Sequence, residues 1–489
     1  MLKLVICSHR GPITYRRTST GIQAVPAGPG GLVTTVSAAA SRLGATWLYA
    51  ASSDGDREIA HSHPDGITQE GMTLRLLDLP RSEHQAHYRV ISSSLLAPLF
   101  HYVFSLPYAP VFTEQVRSAW GAYRRINEIF GEAVCALPPQ DAVLVEDTQL
   151  MLVGATVRDR ISANDVPLAY FHHVPWCEPA YFGILPEPLR RDILDAMLAY
   201  DSCGFHCQRW ADAFAACCER FLPGARRSGD RVEWQGRSTH IAVIPAAIDS
   251  RAVRASAASP DAAAWRSQFE LLKDDRRLFV RVERADPSKN AVRGLRAYEL
   301  LMERRPDLVT STRLLAVLTP VRGWVTEYRE YFANTQQLAR EINDRFGREG
   351  EVVSLAIAED AHRPDHARAM AALAVADVHV VNPTFDGLNL VSMEGAIAGD
   401  AALVLSENAG AHDLLESAAL SINPFDIEQT ADAMERAIEW STVHRQREAT
   451  RLRALVEART PEQWINQRVN DCDRSAAHWL TRAASSGAP

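Results

Sequence analysis

The stretch Asn382-Pro383-Thr384-Phe385-Asp386-Gly387-Leu388-Asn389-Leu390-Val391 decides the fold class of this 489-residue chain. Residues 378–381, immediately before it, include three β-branched valines and predict a buried strand, and the apolar, alanine-rich pattern from about Leu388 predicts a helix. Between the two, Pro383 ends the strand and Asp386-Gly387 forms a turn. The predicted unit is strand, loop and helix, which is the repeating unit of an α/β sheet.

The start of this predicted helix is suited to an anion. Its first backbone N–H groups lack partners within the helix, and the helix dipole is positive at that end. A phosphate or diphosphate group binds well at such a position. Glu394 lies within the first two turns, where its carboxylate is placed to accept ribose hydroxyls. An ordinary loop and helix explains the same pattern equally well, so this motif alone leaves the function open.

Two cations mark a second loop. Arg284 and Lys289 lie in the segment VERADPSKN (282–290), between an apolar strand at 278–280 and a helix predicted from Ala291 to Arg304. Open α/β sheets bind ligands at the carboxyl ends of their strands. An arginine fork together with a lysine point charge suits a diphosphate leaving group. Taken alone, a solvated basic loop is the simpler interpretation.

Together, the two segments resemble the C-terminal half of the trehalose-6-phosphate synthase family. Arg284 and Lys289 match the family's diphosphate pair at the same separation, and the family's DGMNLV…E signature recurs with Leu388 in place of methionine. The resemblance implies an α/β fold of the GT-B type, with two Rossmann-like domains facing each other across a cleft. It also implies retaining glycosyl transfer, with Asp386 as a catalytic residue. The donor-binding residues it implies in this half are Gly387, Leu388, Asn389, Leu390, Val391 and Glu394.

The N-terminal half resembles the same family. The strand from Leu2 to Cys7 opens into a loop whose Arg10 matches a phosphate-binding arginine, while His9 replaces the usual asparagine. Gly30 and Gly31 correspond to the donor-binding glycine turn before the first helix. In Phe171-His172-His173-Val174-Pro175, His173 takes the position of the active-site histidine; taken alone, a histidine after a strand is more often structural.

The acceptor side departs from the family pattern. Asp147 is retained, but its neighbours Glu146, Thr148 and Gln149 replace two histidines and a tyrosine. Tyr88 matches an acceptor tyrosine and Arg322 a phosphate-binding arginine. The tryptophan expected nine residues after that tyrosine is Ala97. Loss of an indole removes a large apolar wall, so the resemblance implies preserved phosphate binding and an altered sugar pocket.

The strand-and-helix rhythm predicts three parts. Residues 1–245 form an acceptor domain, 246–460 a nucleotide-sugar donor domain, and 461–489 a helix crossing back to the first domain with a mobile tail. Within the first domain, 189–221 is interpreted as two amphipathic helices separated near residues 200–202. The segment 246–264, rich in alanine, serine and proline, is interpreted as the interdomain connection.

Composition limits the class of protein. A net charge of −8 argues against nucleic-acid and anionic-membrane partners. No apolar run reaches spanning length and no signal-peptide pattern precedes the first strand, so we expect a cytoplasmic protein. Its eight cysteines are expected to be reduced core thiols. Their spacing does not predict a metal site, and the resemblance implies no cofactor. Homo-oligomerisation is left open.

Three functions follow from these patterns. The first is glucosyl transfer from UDP- or GDP-glucose to a hexose 6-phosphate. The second resembles the validamycin-type branch, a pseudoglycosyltransferase that couples a nucleotide-activated cyclitol to an aminocyclitol phosphate. Ala97 and the altered residues beside Asp147 favour it. The third is a sugar-phosphate-binding paralogue without catalysis, against which the retained His173 and Lys289 argue.

Overall fold

The structure is a computed structural model that describes residues 3–19, 21–26, 31–161, 166–358 and 365–472. The chain divides into two compact units. The first contains the described residues up to Ala246 together with those from Pro461 onwards, and the second contains Ala247–Thr460. Each unit is built around a parallel sheet with helices on its faces, as the strand-and-helix rhythm predicts.

The first unit is built on a ten-stranded sheet with the order β10-β11-β12-β9-β8-β7-β1-β4-β6-β5. The seven strands from β12 to β6 in that order are parallel, and the three others pair antiparallel at the edges. Strands β2 and β3 form a separate hairpin. The strands are β1 (Leu4–Ser8), β2 (Ile13–Thr18), β3 (Gly21–Pro26), β4 (Thr46–Ala50), β5 (Ile67–Gln69), β6 (Met72–Leu77), β7 (Ala142–Glu146), β8 (Leu168–His172), β9 (Ser202–Phe205), β10 (Arg226–Ser228), β11 (Arg231–Trp234) and β12 (Arg237–Val243).

The helices of the first unit include an unusually wide π-helical segment, Ala86–Leu96. A short 3₁₀ turn, Thr148–Leu150, follows β7. The α-helices are α1 (Gly31–Leu43), α2 (Asp54–Ser62), α3 (Arg81–Gln85), α4 (Ala97–Phe100), α5 (Glu114–Cys135), α6 (Val153–Arg158), α7 (Pro179–Phe182), α8 (Glu187–Met197) and α9 (Gln208–Phe221). A further helix spans 461–472.

One element of this unit was missed in the sequence. The two helices predicted within 189–221 are present as α8 and α9, but the residues between them form strand β9 and not a simple break. The strand is only four residues long and contains Gly204, so its own propensity is low. The reason for the glycine is tertiary: a Cβ at Gly204 would lie 2.4 Å from the ring of Phe171 on β8.

The second unit has a six-stranded sheet in which every pair of neighbouring strands is parallel, in the order β15-β14-β13-β16-β17-β18. The strands are β13 (Arg277–Arg284), β14 (Thr312–Thr319), β15 (Val353–Ile357), β16 (Val378–Val381), β17 (Ala402–Ser406) and β18 (Leu420–Ile422). The helices are α10 (Ser250–Ala257), α11 (Pro260–Lys273), α12 (Ala291–Arg304), α13 (Leu308–Ser311), α14 (Thr326–Phe346), α15 (His366–Val375), α16 (Leu390–Ala398), α17 (His412–Leu415), α18 (Ile427–Glu439) and α19 (Thr442–Glu457).

Element boundaries in this unit agree closely with the sequence patterns. Strand β16 and helix α12 have the predicted limits, whereas α16 begins at Leu390, two residues later than expected. The delay has a local cause, because Asn389 takes a positive φ of 79° and caps the helix with its side chain. Strand β13 extends to Arg284, which is therefore the last residue of the strand and not part of the loop. The predicted connection 246–264 is largely helical, as α10 and the start of α11.

The core of the second unit lies between its sheet and the helices that cover one face. Buried side chains of β13, β14, β16, β17 and β18 pack there against those of α12, α14 and α18. Burial of this many apolar side chains is the main source of stability for such a unit. Among the residues that the structure describes, no helix is both long and apolar enough to cross a membrane.

A buried histidine makes the stability of the second unit depend on pH. His379 of β16 is 2% exposed and its Nε2 atom has no hydrogen-bond partner among the described residues. Burial, and secondarily Arg281, lowers the pKa of His379 to about 3. The unfolded chain therefore binds this proton at a higher pH than the folded unit does, and the associated stability is lost as pH falls from about 6.5 towards 3.

We expect His379→Phe to remove this acid sensitivity. Between pH 7 and pH 5 the wild type should lose about 2 kcal/mol more unfolding free energy than the variant, at 1.36 kcal/mol per pKa unit. Urea denaturation at the two pH values measures the difference. The exposed His63→Phe is the matched control. Equal pH dependence in His379→Phe and the wild type would contradict the prediction.

Candidate functional site

The two loops singled out in the sequence lie side by side in the second unit. They follow β13 and β16, which are neighbouring parallel strands, so both leave the same edge of the sheet. The backbone N–H of Thr384 donates to the carbonyl of Ser288 at 2.9 Å. The side chain of Asn290 donates to the carbonyls of Asn382 (2.9 Å) and Pro424 (2.8 Å). The loops therefore form one hydrogen-bonded surface.

A buried arginine lies beneath this surface and is hydrogen-bonded to both loops. Arg281 is 0% exposed and donates to the carboxylate of Glu283 at 2.9 Å, to the carbonyl of Lys289 at 3.2 Å and to Oδ1 of Asn382. Burial raises the pKa of Glu283, and Arg281 partly opposes that shift. A guanidinium offers five donors in a rigid fork. Arg281 is thus able to fix both loops at once.

Lys289 and Asp386, predicted from separate motifs, are in contact. The Lys289 ammonium donates to the carboxylate of Asp386, which also accepts from Nδ2 of Asn389 at 2.9 Å. The side-chain oxygen of Asn389 accepts from the backbone N–H of Ser392 at 3.0 Å and so caps α16. The lysine charge is therefore positioned next to the start of α16, where the helix dipole is positive.

Of two further arginines, one immediately precedes the loop that carries Lys289 and the other is hydrogen-bonded to that loop. Arg284, at the end of β13, is exposed, and none of the described carboxylates forms an ion pair with it. Arg322 donates to Asp286 at 3.1 Å and to the hydroxyl of Tyr328 at 2.6 Å. Asp286 belongs to the loop between Arg284 and Lys289. Arg322, predicted for the acceptor phosphate, is therefore hydrogen-bonded to the loop that connects the two residues predicted for the diphosphate.

The remaining residues predicted for the donor lie on the turn into α16 and within it. Leu388 is 3% exposed, so its side chain is not accessible to a ligand and any contact there must use the backbone. Its carbonyl already accepts from the N–H of Ala411 at 2.7 Å. Leu390 and Val391 begin the helix and are half-buried. Glu394 lies 3.6 Å from Nε2 of His366, a neighbour that the sequence did not indicate.

In the first unit, Arg10 and Tyr88, both predicted for the acceptor, are in contact. Arg10 donates to the Tyr88 hydroxyl at 2.9 Å, and the Tyr88 ring stacks on His9 with ring centroids 4.8 Å apart. Sequence reasoning missed the other two histidines of this cluster. The Nε2 atoms of His84 and His9 are 2.8 Å apart, and the ring centroids of His87 and His9 are 5.4 Å apart. Burial lowers the pKa values of all three imidazoles.

His173 and Asp147 follow neighbouring strands of this sheet. Nε2 of His173 lies 2.8 Å from the carboxylate of Glu146, which also accepts from Arg468 at 2.7 Å. Asp147 has a positive φ of 69°, and within the described ranges its buried Oδ1 atom has no hydrogen-bond partner. A strained residue with an unsatisfied carboxylate oxygen is typical of a ligand-binding position.

Two predicted residues give little further information. Gly30 lies outside the described residues. Gly31 is the first residue of α1.

The turn at Asp386-Gly387 depends on a second glycine. A Cβ at Gly410 would lie 2.0 Å from the carbonyl oxygen of Gly387, a backbone atom that cannot rotate away. We expect Gly410→Ala to lower the unfolding free energy by about 1–3 kcal/mol or more, because the turn must shift. Urea denaturation measures this loss. Gly121→Ala on α5 meets nothing within 4 Å and is the control; an equally small effect in both variants would refute the close contact.

Known proteins resemble this chain over nearly its whole length. The profile of "Glycosyltransferase family 20" matches residues 2–474. Validamine 7-phosphate valienyltransferase of Streptomyces hygroscopicus subsp. jinggangensis is 29% identical over 99% of this chain and 96% of its own length. An α,α-trehalose-phosphate synthase (UDP-forming) of Botryotinia fuckeliana is also 29% identical, over 99% of this chain and 91% of its own.

Solved structures agree on the fold. An α,α-trehalose-phosphate synthase (UDP-forming) from Burkholderia vietnamiensis has a TM-score of 0.81 and 25% identity, covering 100% of this chain and 99% of its own. An E. coli protein solved with UDP-2-fluoro glucose bound has a TM-score of 0.82 at 24% identity, covering 96% and 98%. These matches confirm the α/β, GT-B-type fold predicted from the sequence. The chain belongs to glycosyltransferase family 20 and is a glycosyltransferase.

Proposed function

We propose that this enzyme transfers a glucosyl group from UDP-glucose to a hexose 6-phosphate with retention of configuration, as a trehalose-6-phosphate synthase. The observation that carries the proposal is the contact between Lys289 and Asp386 at the start of α16. It joins a cation suited to a diphosphate and a carboxylate suited to sugar hydroxyls in one place. The UDP-forming relatives and the relative with UDP-2-fluoro glucose support UDP over GDP as the nucleotide.

The cations of the second unit would act on the leaving group. As the glycosidic C–O bond lengthens, negative charge grows on the departing diphosphate. Lys289, held by Asp386, and the first backbone N–H groups of α16 are donors already in position to stabilise this charge, and Arg284 adds a further cation. Arg281 keeps the loop of Lys289 in place. Glu394 binds the ribose, and Gly387 and Leu388 contribute backbone contacts to the donor.

The sugar and acceptor are assigned to a second group of residues. His173 and Asp386 position the transferred ring, and the departing phosphate takes the acceptor proton, as the family resemblance implies. Asp147 binds an acceptor hydroxyl through its buried Oδ1 atom, which has no hydrogen-bond partner among the residues that the structure describes. The acceptor-binding residues in this proposal are Arg10, Tyr88, Asp147 and Arg322.

A second candidate is transfer of a nucleotide-activated cyclitol to an aminocyclitol phosphate. Its support is the validamine 7-phosphate valienyltransferase relative and the Ala97 position. Ala97 is 7% exposed at the start of α4, where an indole is expected from the resemblance. A smaller side chain there changes the shape of the wall available to a ring.

Lys289→Ala tests the diphosphate role. We expect kcat to fall about 10²- to 10³-fold, by analogy with the loss of one oxyanion donor. Steady-state release of UDP measures it. Lys3→Ala removes an exposed lysine of the first unit and should leave turnover unchanged. Turnover near that of the wild type in Lys289→Ala, with an unchanged melting temperature, would reject the assignment.

Arg322→Ala tests the acceptor phosphate. We expect the KM for a phosphorylated acceptor to rise at least about tenfold, because a charge-assisted hydrogen bond is worth about 1.5–3 kcal/mol. The KM for the nucleotide sugar should change much less. Arg340→Ala on α14 is the control, because the described contacts of this guanidinium are with Gln337. An unchanged acceptor KM would mean that the phosphate binds elsewhere.

A substrate panel separates the two candidates. The protein is incubated with UDP-glucose, GDP-glucose or a nucleotide-linked cyclitol, against glucose 6-phosphate and aminocyclitol phosphates. Nucleotide release and product mass are followed. Turnover of UDP-glucose with glucose 6-phosphate supports the proposal. Turnover only with cyclitols supports the second candidate, and no turnover with either donor class overturns both.

A further inference from the structure

Glu146, His173 and Arg468 form a buried charged group in the first unit. Their side chains are 0%, 12% and 2% exposed. One carboxylate oxygen of Glu146 lies 2.8 Å from Nε2 of His173, and the other accepts from Nη1 of Arg468 at 2.7 Å. Only His173 was predicted as a site residue. Glu146 stands where the resembling family has a histidine, so this arrangement belongs to the present chain's own sequence.

Glu146 is held as a carboxylate. Burial by itself raises the pKa of a carboxyl group, but Arg468 and then His173 oppose it, and the pKa of Glu146 is lowered overall. The guanidinium of Arg468 remains charged throughout the working range. An ionised carboxylate has acceptor sites and no proton to donate. The proton in the Glu146–His173 contact must therefore be carried by Nε2 of the imidazole.

This contact determines which nitrogen of His173 is left for a ligand. Within the described residues, Nδ1 of His173 has no hydrogen-bond partner. In a neutral ring with its proton on Nε2, Nδ1 carries the lone pair and accepts a hydrogen bond. Resting on the function proposed above, we propose that Glu146 is a positioning residue that holds His173 in the Nε2–H tautomer, so that Nδ1 accepts from a hydroxyl of the transferred ring.

The aromatic rings described next to His173 carry no charge. The ring of His206 is 5.4 Å from that of His173, and burial lowers the pKa of His206 far below its usual value, so it stays neutral. Phe171 and Trp464 contact the same ring, with centroids 4.8 Å and 6.0 Å away. Within the described residues, Glu146 is the charged group that contacts His173 directly, and Arg468 binds the other oxygen of the same carboxylate.

The helix 461–472 supplies the cation that completes the group. The Arg468 guanidinium lies 4.9 Å above the ring of Phe171 and 4.7 Å above that of Trp464. Nε1 of Trp464 donates to the carbonyl of Ile244, just beyond β12, at 3.0 Å. These contacts place the chain's last described helix against the strands that bear Glu146 and His173. The tautomer of His173 is thus tied to a segment about 300 residues away in sequence.

Nitrogen-15 NMR of histidine-labelled protein tests the tautomer directly. The His173 signals are assigned by their loss in His173→Gln. We expect the wild type to carry its proton on Nε2. In Glu146→Gln the amide can donate as well as accept, so the Nδ1–H form should gain population. Glu146→Asp keeps an acceptor-only group and should retain Nε2–H, which separates the effect from a loss of folding.

Asp201→Asn is the matched control. Asp201 is a buried carboxylate of the same unit, paired with Arg158 with side chains 5% and 8% exposed, and it makes no recorded contact with His173. It should leave the His173 signals as in the wild type. An Nδ1–H tautomer in the wild type, or an unchanged tautomer in Glu146→Gln, would overturn the proposal.

Kinetics then test the consequence for transfer. We expect Glu146→Gln to lower kcat about 10- to 100-fold, by analogy with partners that orient a ligating histidine, with partial recovery in Glu146→Asp. The KM for the phosphorylated acceptor should stay within about twofold, because His173 acts on the donor ring. A tautomer change without any loss of kcat would overturn the positioning role. A tautomer change in a protein that turns over neither donor class would instead refute the proposed function and leave the tautomer assignment standing.

Discussion

The candidate donor site depends on the buried guanidinium of Arg281. It is enclosed beneath two loops, where it satisfies the carboxylate of Glu283, the side chain of Asn382 and the carbonyl of Lys289 together. A buried charge is costly unless it is paired and hydrogen-bonded, so loss of any one of these contacts would destabilise the loops. Close packing enforces the same arrangement, since a Cβ on Gly294 would lie 1.9 Å from this guanidinium.

The first unit has a comparable buried ion pair beside its candidate histidine. Glu146 is enclosed between Arg468 and His173, and each oxygen of its carboxylate has its own partner. In both units a buried ion pair orients a residue that is itself more exposed, Lys289 in one and His173 in the other. Because the buried ion pair binds each residue from its buried side, the exposed atoms of that residue remain accessible to a ligand. A group held in this way is preorganised and need not move when the ligand reacts.

Much of the candidate site could be predicted because it lies at the ends of strongly patterned elements. Lys289 and Asp386 follow β-branched or apolar strands, and parallel strands place their carboxyl ends at one edge of the sheet. His84 and His87 were missed as neighbours of Tyr88 and His9, because His84 lies on α3 and His87 lies on the π-helical segment that follows it, whose periodicity is not that of an α-helix. Arg468 was missed because nothing local distinguishes it from other arginines of a terminal helix.

The sequence by itself determined the α/β class and the repeating strand and helix units, and it marked two motifs predicted to bind phosphate, because these depend on local periodicity, turn residues and the charge of a few side chains. Tertiary structure alone decided which carboxylate faces which cation: Asp386 with Lys289, Asp286 with Arg322, and Glu146 with Arg468 and His173. The physical reason is that the cost of a buried charge is met by a partner close in space, and closeness in space between residues up to about 300 positions apart is set by the order of strands in the sheet and the helices packed on them.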